Sequence, residues 1–324
     1  MKGAHAGDFA LDATLPPPLP RDGRGAVLTV GTFDGIHRGH RQVLDEIVRR
    51  AERTARRSVL VTFHPHPLRI VRPEAAPALL TTPAEKRELL AQTALEYAVF
   101  LPFTPLLRQY SARRFVEEIL LGRLGMSELV VGYDHGFGRG REGDVETMRE
   151  IGAEAGFDVD VVEAVEDDVE AVSSSRIRDA LAAGDVREAA RGLGRPYSIS
   201  GSVVRGDGRG RELGFPTANL SVSDPTKLIP RNGIYAVRTI VGGESHPSLL
   251  HLGPRPTFAD AARTLEVHLL DWSGDLYGMH LQVQFVERLR DVEAYSSPRE
   301  LSAAMRGDEA AARALFASEP HGVV

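Results

Sequence analysis

The chain has 324 residues and a net charge of −6 at pH 7, with 42% of its residues hydrophobic and 26% charged. This length favours two domains that each bury a core, and the composition argues against a disordered or fibrous chain. The acidic balance argues against a nucleic-acid partner, because a dedicated nucleic-acid-binding domain is strongly basic. The absence of cysteine excludes disulfides, thiolate zinc sites and cysteine nucleophiles.

Residues 1–25 are interpreted as a lead-in segment that contains the run PPPLP. They lack the continuous apolar core of a signal peptide, and no later stretch reaches the roughly 18 apolar residues of a membrane span. We therefore expect a cytoplasmic protein with no membrane partner. The PPPLP run could be a polyproline ligand for a partner domain, but a stiff connection to the first strand is the favoured interpretation.

From residue 26 onward, short apolar runs alternate with helical patterns, which is typical of a parallel sheet built from strand–helix–strand units. The predicted strands are 26–33, 58–63, 97–102, 128–133 and 157–162. Helices are predicted near 84–96, 112–121, 144–155, 174–183 and 185–192.

Between the first two strands, apolar residues recur at helical spacing and predict a helix that packs on the sheet. These residues are Val43, Leu44, Ile47, Val48 and Ala51. The same region carries a basic run, which is interpreted as a solvated helix face and its exit. The run consists of Arg49, Arg50, Arg53, Arg56 and Arg57.

The pattern changes near residue 193. Beyond it, period-two runs rich in Val, Ile and Tyr predict an antiparallel barrel or sandwich: YSISGSVV, GIYAVRTIV, LEVHLLDW and HLQVQFVE. A final helix is predicted to begin at SSPRE, with Ser297 as its cap, Pro298 in its first turn and Glu300 completing a capping box. We therefore predict one domain over 26–192 and a second over 193–324.

The stretch GTFDGIHRGH, residues 31–40, directly follows the first predicted strand. Ligands of open parallel sheets bind beyond the carboxyl ends of strands, where helix N-termini attract anions. His37 and His40 are three residues apart and share a helix face, and Gly39 leaves room between them. We expect the two imidazoles to donate hydrogen bonds to phosphate oxygens as charge develops. Surface histidines or a pair of metal ligands are the alternatives, and the metal is disfavoured because no further ligands stand at a recognisable spacing.

The stretch resembles the HxGH nucleotidyltransferase superfamily, in the form used by the FMN adenylyltransferase half of bacterial bifunctional riboflavin kinase/FAD synthetases. Three more stretches are similar to that family: VTFHPHPLRI (61–70), VVGYDHGFGRGREGD (130–144) and AVSSSRIRDAL (171–181). Two positions depart from the family, since His135 replaces a common aromatic residue and Ser175 replaces a threonine. Taken singly, these stretches could also be a serine-capped helix, a surface loop and histidines that hold a proline turn.

The resemblance implies a Rossmann-like domain with a parallel sheet, in which His37, His40 and Arg178 are catalytic. At a helix start, the hydroxyls of Ser174 and Ser175 together with Arg178 would bind the departing pyrophosphate. The remaining contacts implied for ATP and its phosphates are Gly31, Phe33 and Gly39, and those implied for the flavin are Asp134 and Phe137.

A second group of candidate residues lies in GSVVRGDGRGRELGFPTANL, residues 201–220. Its glycine-rich turns can form an anion-binding nest, and Thr217 and Asn219 offer oxygen atoms of the kind that hold Mg²⁺ together with phosphates. An ATP site is therefore plausible without a Walker motif, since none of the chain's lysines (Lys2, Lys86 and Lys227) stands in such a motif. A solvated hairpin turn or an RNA-binding patch are the alternatives.

This second stretch resembles the ATP-binding signature of the riboflavin kinase fold, a six-stranded antiparallel barrel. The similarity continues through NGIYAVRT (232–239), HLGPRPTF (251–258) and LEVHLLDWSGDLYG (265–278), although His251 stands where the family often has Asn. Glu266 could be an exposed strand residue, but the resemblance implies that it is the general base. It further implies Thr217 and Asn219 as Mg²⁺ ligands. The implied ATP contacts are Gly206, Gly210, Arg211, Gly214 and Pro216.

Together the two resemblances imply a bifunctional enzyme that uses ATP and Mg²⁺. Riboflavin and ATP would give FMN and ADP, and FMN and a second ATP would then give FAD and pyrophosphate. One alternative is an adenylyltransferase for another acceptor, such as a pantetheine or nicotinamide nucleotide, fused to an unrelated barrel. The other is a non-catalytic flavin-sensing or RNA-binding barrel.

Overall fold

A computed structural model describes residues 16–20, 22–132, 143–162, 166–167, 170–206, 214–254 and 263–318. The chain divides into two compact units, Met1–Ser174 and Ser175–Val324. In the described part of the chain, every helix is too short or too polar to cross a membrane.

The first unit contains a five-stranded parallel sheet in the order β3-β2-β1-β4-β5. Helices cover the sheet, and the buried strands read as continuous apolar runs, as expected where both faces are covered. The predicted parallel α/β fold is confirmed. The strands are β1 (Ala26–Val30), β2 (Arg57–His64), β3 (Tyr97–Pro102), β4 (Met126–Gly132) and β5 (Asp158–Val162), followed by the antiparallel pair β6 (Glu166–Asp167) and β7 (Glu170–Ala171).

The helices of this unit are α1 (Arg38–Arg53), α2 (Leu68–Val71), α3 (Pro83–Ala91), α4 (Ala112–Phe115) and α5 (Val145–Ala155). Helix α4 continues as a π-helical segment over Val116–Leu121. The apolar stripe predicted for α1 is confirmed, because four of its five residues are buried: Val43, Leu44, Ile47 and Ala51. They pack in one cluster with Val27 and Leu60 of the sheet.

The basic run is not simply a solvated face, which corrects that interpretation. Arg57 is only 2% exposed and donates to the carbonyl oxygens of Arg24 and Pro20 at 2.7 and 2.9 Å. Arg50 is half-buried and donates to the Glu128 carboxylate at 2.6 Å, and it also pairs with Asp160. These arginines are held by groups far away in sequence, which helical spacing alone does not reveal.

The described end of the lead-in segment packs on the first unit. Leu19 is buried in the same core cluster as Leu28 of β1, and its N–H donates to the Arg123 carbonyl oxygen at 3.0 Å. The Arg123 guanidinium in turn donates to the Pro16 carbonyl oxygen at 3.2 Å. Together with the bond from Arg57 to the Pro20 carbonyl oxygen, one apolar side chain and three hydrogen bonds therefore hold the proline-bearing run on the sheet domain.

The second unit contains a closed six-stranded barrel in the order β10-β11-β12-β9-β8-β13, with antiparallel pairing throughout. This confirms the predicted barrel. Two of its strands, β9 and β11, were not among the predicted period-two runs. The strands are β8 (Ser198–Val204), β9 (Ala218–Ser221), β10 (Gly233–Val241), β11 (Glu244–Pro254), β12 (Arg263–Leu269) and β13 (His280–Arg290).

Within the described residues of this unit, three helices accompany the barrel: α6 (Ser174–Ala183), α7 (Val186–Leu193) and α8 (Pro298–Ser318). Helix α8 begins as predicted, with the Ser297 hydroxyl accepting from the Glu300 N–H at 3.3 Å. The Glu300 carboxylate, however, accepts from the Ser296 N–H at 3.1 Å, so the reciprocal bond falls one residue earlier than a standard capping box. Arg290 of β13 and Asp308 of α8 form a two-point ion pair that docks this helix.

The division into compact units falls earlier than the predicted domain boundary near residue 193. Helix α7 packs against β13, and Arg187 pairs with Glu287 of that strand. The compact units are defined by spatial contacts, so α7 is grouped with the barrel it touches. The predicted boundary lies where helical periodicity gives way to strand periodicity, which is after α7. The functional boundary near residue 193 stays a prediction.

Candidate active sites

The first candidate site is built on the turn between β1 and α1. The predicted strand over 26–33 ends earlier, at Val30, because the chain then enters a turn of unusual backbone conformation. Phe33, Gly35 and Ile36 have positive φ angles of 45°, 83° and 41°. For a β-branched residue such as Ile36 this conformation is a genuine outlier, and strain of this kind collects at functional sites.

Asp34 holds the turn through buried hydrogen bonds. Its carboxylate accepts from the Leu80 and Thr81 N–H groups, both at 3.0 Å, and from the Thr81 hydroxyl at 3.2 Å. The Gly35 N–H donates to the same Thr81 hydroxyl oxygen at 3.1 Å. The Ser174 hydroxyl donates to the Asp34 carbonyl oxygen at 2.9 Å. Ser174, predicted to contact phosphate, thus also supports the histidine turn.

The carbonyl of Thr32 is a second fixed point of the turn. Its oxygen accepts from the Lys86 ammonium at 2.6 Å and from the Thr62 hydroxyl at 2.9 Å. Lys86 is 8% exposed, and burial lowers its pKa to about 8 although the Asp34 carboxylate opposes that shift. A buried cation therefore stands behind the turn.

His37 and His40 come together at the start of α1, as their spacing predicts. His37 is the N-cap, and its Nδ1 accepts from the His40 N–H at 3.3 Å, so a neutral His37 carries its proton on Nε2. The two rings stack with centroids 3.6 Å apart, and the Phe33 ring stacks on His40 at 4.5 Å. A Cβ at Gly39 would lie only 3.3 Å from the His37 ring, which explains the glycine between them.

His40 is held in its neutral form. Burial lowers its pKa well below the ordinary 6.5, and the neighbouring His37 and Lys86 lower it further. Its Nδ1 is buried and has no hydrogen-bond partner within the described residues. At neutral pH this ring is therefore an uncharged donor and acceptor.

The other residues predicted for this site are placed less fully. Ser175 is exposed and Arg178 half-buried on α6, both in the second compact unit. Their part in phosphate binding stays a prediction. Gly31 follows β1 directly and belongs to the same turn region. Asp134, His135 and Phe137 lie outside the described residues.

The second candidate site is a row of side chains across the barrel. Glu266 of β12 pairs directly with Asn219 of β9 on one side and with His251 of β11 on the other. Directly opposed residues of antiparallel strands place their side chains on the same face. Because Ile234 and Leu249 of that face pack against α8, the row lies on the outside of the barrel. The predicted Mg²⁺ ligand and the predicted base are thus neighbours.

Thr217 stands two residues before Asn219 and immediately precedes β9. The carbonyl oxygen of the preceding Pro216 lies 2.8 Å from His268 Nδ1, and Phe215 packs edge-on against the same imidazole. His268 is two residues beyond Glu266 on β12, so the strand that carries the proposed base also supports the Pro216–Thr217 turn.

Gly206 lies against Asn219, since a Cβ at residue 206 would stand 2.1 Å from the Asn219 side-chain nitrogen. Any larger residue at this position would require the Asn219 side chain to move. Gly214 has a φ of 84°, which also favours glycine. Gly210 and Arg211 lie outside the described residues.

His251 is largely buried, and burial lowers its pKa although the Glu266 carboxylate opposes the shift and Arg290 adds to it. Among the described residues, no group of three or more His, Asp or Glu side chains is arranged to hold a metal ion by itself. Thr217 and Asn219 stay predicted Mg²⁺ ligands, and a metal held by these two side chains would also need oxygen ligands from its substrate or from water.

Comparison with known proteins identifies the family to which the chain belongs. The family model described as FAD synthetase matches residues 19–176, and the one described as riboflavin kinase matches residues 193–316. A bifunctional riboflavin kinase/FMN adenylyltransferase from Pseudomonas fluorescens is 41% identical over 92% of this chain and 95% of its own length. The chain belongs to this bifunctional family.

Another member of the family, from Bacillus subtilis, is 32% identical over 90% of this chain and 93% of its own length. A crystal structure described as a macrolide-efflux protein from Streptococcus pneumoniae is also similar. It has a TM-score of 0.82 and 29% identity, and it covers 90% of this chain and 94% of that one. The two family models divide the sites, because His37 and His40 fall within the first and Asn219 and Glu266 within the second.

Sequence reasoning about this family member missed three residues that support the sites: Asp34, Lys86 and His268. Asp34 lies inside GTFDGIHRGH next to a glycine, where an aspartate is typical of an ordinary turn. Lys86 is one of three lysines in an arginine-rich chain, which is the sequence feature that distinguishes it. His268 stands beside Glu266 in an alternating strand, so its shared face with that residue could have been derived.

Proposed function

We propose that the two activities of the family are divided between the sites described above, with riboflavin phosphorylated on the barrel and FMN adenylylated at the histidine pair. The arrangement that carries this proposal is the pair of separate polar centres. One is a neutral imidazole stack at a helix N-terminus beyond a parallel sheet, and the other is a carboxylate beside an amide on a barrel face. The functional domains are proposed as 26–192 and 193–324, and the reactions as cytoplasmic.

On the barrel, a ribityl hydroxyl oxygen of riboflavin attacks the γ-phosphorus of ATP and ADP leaves. We assign Glu266 as the base that accepts the hydroxyl proton. Its direct pairing with Asn219 supports this role, because the base and a phosphate-side ligand then face the same volume. Gly206, Gly210, Arg211, Gly214 and Pro216 are proposed to bind the ATP phosphates.

Thr217 and Asn219 are the proposed protein ligands of Mg²⁺. Hydroxyl and amide oxygens suit this ion, which usually keeps several waters and phosphate oxygens in its coordination shell. When bound, Mg²⁺ would supply charge neutralisation on the transferring phosphoryl group. Neighbouring residues position the two proposed ligands. His268 contacts the Pro216 carbonyl just before Thr217, and Gly206 leaves space for the Asn219 side chain.

At the histidine pair, a phosphate oxygen of FMN attacks the α-phosphorus of ATP, and the bond to the β-phosphate breaks with release of pyrophosphate. His37 offers Nε2–H, since its Nδ1 already accepts the His40 N–H. His40 is proposed to donate to the same phosphate as charge develops. Ser174, Ser175 and Arg178 are proposed for the pyrophosphate, Gly31, Phe33 and Gly39 for ATP, and Asp134 and Phe137 for the flavin.

A crossed pair of variants tests this division. His40→Ala should leave riboflavin phosphorylation intact and lower FAD formation on the order of 10²-fold, so that FMN accumulates. Glu266→Gln should lower FMN formation by at least about 10²-fold while FAD is still made from added FMN. Products from riboflavin and Mg-ATP are separated by chromatography.

The activity that each variant keeps reports on the unmutated unit, and a circular dichroism spectrum identical to that of wild type is the folding control for the mutated unit. Equal loss of both products in His40→Ala would contradict the assignment of the adenylyl step to the histidine pair. Undiminished kinase turnover in Glu266→Gln would remove Glu266 as the base.

A further inference from the structure

Lys86 is a buried cation that the proposed chemistry does not use. It lies on α3 with 8% of its surface exposed, and its ammonium donates to the Thr32 carbonyl oxygen at 2.6 Å. Burying an ammonium group is costly unless a partner compensates for the lost water. The partners of Lys86 do not fully compensate for the lost water. The Asp34 carboxylate raises the Lys86 pKa, but burial lowers it more, so that the pKa is about 8.

The carbonyl that Lys86 holds belongs to the turn that positions the histidines. Thr32 immediately precedes Phe33, whose φ is 45° and whose ring stacks on His40 at 4.5 Å. The same carbonyl oxygen accepts from Thr62 of β2 at 2.9 Å. Lys86 therefore ties α3 to the point where the strand ends and the strained turn begins.

The charged and titratable groups around Lys86 come from three elements. Asp34 lies in the turn, His37 and His40 lie at the start of α1, and Glu85 lies on α3 itself, where its carboxylate accepts from the Thr82 N–H at 2.8 Å. The Asp34 carboxylate attracts the Lys86 charge and opposes the fall of the Lys86 pKa, and the same charge lowers the pKa of His40 by disfavouring its protonated form.

We propose that Lys86 is a positioning residue of the adenylyl-transfer site, which holds the Thr32 carbonyl so that the Phe33–His40–His37 stack forms. Its positive charge also keeps His40 neutral, the form in which that imidazole has a lone pair and a proton to share. The proposal rests on the function proposed for the histidine pair. It assigns no contact between Lys86 and the substrates.

Lys86→Met removes the charge and the donor but keeps the length of the side chain, whereas Lys86→Arg keeps both the charge and the donor. For Lys86→Met we expect kcat of FAD formation from added FMN to fall on the order of 10²-fold, as for a misplaced catalytic group. KM for ATP and FMN should change less than about threefold. Lys86→Arg should recover at least about a tenth of the wild-type kcat.

The pH profile separates this role from a merely structural one. Without the Lys86 charge, His40 binds a proton more readily, so the acid limb of the kcat profile should move to higher pH by about half a unit or more. In Lys86→Arg the acid limb should stay in place. Riboflavin phosphorylation by the same protein should be unchanged, and so should both activities of Arg87→Gln, which removes a cation from the next position of α3.

Three results for FAD formation by Lys86→Met would overturn the proposal. They are a wild-type kcat with a wild-type acid limb, a raised KM for ATP with an unchanged kcat, and a lowered kcat whose acid limb stays at the wild-type pH. If Lys86→Met loses the circular dichroism spectrum of wild type, its first unit has failed to fold and Lys86→Arg decides. In that case Lys86→Arg must still form FAD with an acid limb at the wild-type pH. If Lys86→Arg loses FAD formation but keeps riboflavin phosphorylation, the positioning role of Lys86 is refuted. A wild-type protein that makes FMN but no FAD would instead contradict the proposed function.

Discussion

His37 and His40 owe their arrangement to contacts at the level of single residues. The N-cap hydrogen bond fixes the His37 tautomer, the Phe33 ring covers His40, and Gly39 leaves space for the His37 ring. Burial then keeps His40 uncharged. The motif therefore supplies both the donors and the surroundings that set their protonation.

The depressed pKa of His40 predicts a pH dependence of stability. In the unfolded chain His40 has an ordinary pKa of 6.5, and in the folded chain the pKa lies well below that value. Below pH 6.5 the unfolded chain therefore binds the proton more readily, so the free energy of unfolding should fall as the pH drops, by at most about 1.4 kcal/mol per pH unit. Above pH 6.5 His40 should contribute no slope.

Chemical denaturation between pH 8 and pH 5 measures this effect. His40→Asn, which cannot titrate there, should lose the corresponding part of the slope, so its free energy of unfolding should fall less between pH 8 and pH 5 than that of wild type. Identical slopes in wild type and variant would show that His40 does not carry the shift.

Gly206 predicts a loss specific to the kinase. In Gly206→Ala the new methyl group would stand 2.1 Å from the Asn219 side-chain nitrogen, so Asn219 must move. We expect FMN formation to fall on the order of 10²-fold, as for a displaced metal ligand, while FAD formation from added FMN is unchanged. The assay follows both products.

Gly307→Ala is the matched control, because a Cβ at Gly307 of α8 meets nothing within 4 Å. It should keep both activities. A fully active Gly206→Ala would contradict the need for a close approach between that glycine and Asn219.

At the scale of whole elements, most of the secondary structure could be predicted from periodicity. The buried stripe of α1, the strands of the parallel sheet and the start of α8 follow local rules of spacing and capping. The exceptions have physical reasons. Strand β1 stops at Val30 because the turn behind it has positive φ angles, and β9 has only four residues, too few for a clear alternation.

The lead-in segment gives a prediction at this scale. Leu19 is 6% exposed and packs in the core of the first unit, so Leu19→Ala should lower the free energy of unfolding of that unit by about 2 to 4 kcal/mol. Leu106→Ala is the control, because Leu106 is 63% exposed and should change stability by less than about 0.5 kcal/mol.

Urea titration monitored through FAD formation reports on the first unit, and FMN formation reports on the second. An unaltered midpoint for Leu19→Ala would show that the lead-in segment does not contribute to the core. A shift only in the FAD-forming activity is the expected pattern.

At the scale of the whole molecule, the chain combines two compact units with different sheet architectures, a parallel sheet and a closed antiparallel barrel. The residues of the kinase site described here all lie in the barrel unit. A chain that lacks its kinase base should therefore keep an intact adenylyl site, and a chain that lacks His40 should keep an intact kinase site.

This separation predicts complementation. An equimolar mixture of His40→Ala and Glu266→Gln should convert riboflavin to FAD, because one chain makes FMN and the other consumes it. The product is measured after incubation with Mg-ATP, and each variant alone should yield little FAD from riboflavin. Failure of the mixture, when each variant keeps its own half-reaction, would mean that FMN does not pass between chains.

The sequence by itself determined the fold class, the helix start at the histidine pair and the family resemblance, because periodicity, capping and motif spacing are local properties of the chain. It did not reveal the hydrogen bonds of Asp34 and Lys86, the approach of Gly206 to Asn219, or the support of Pro216 by His268. These contacts join residues from 13 to 54 positions apart. Only the register of the strands and the packing of the turns decide which such residues meet, and so they alone set the burial and charge that tune each site.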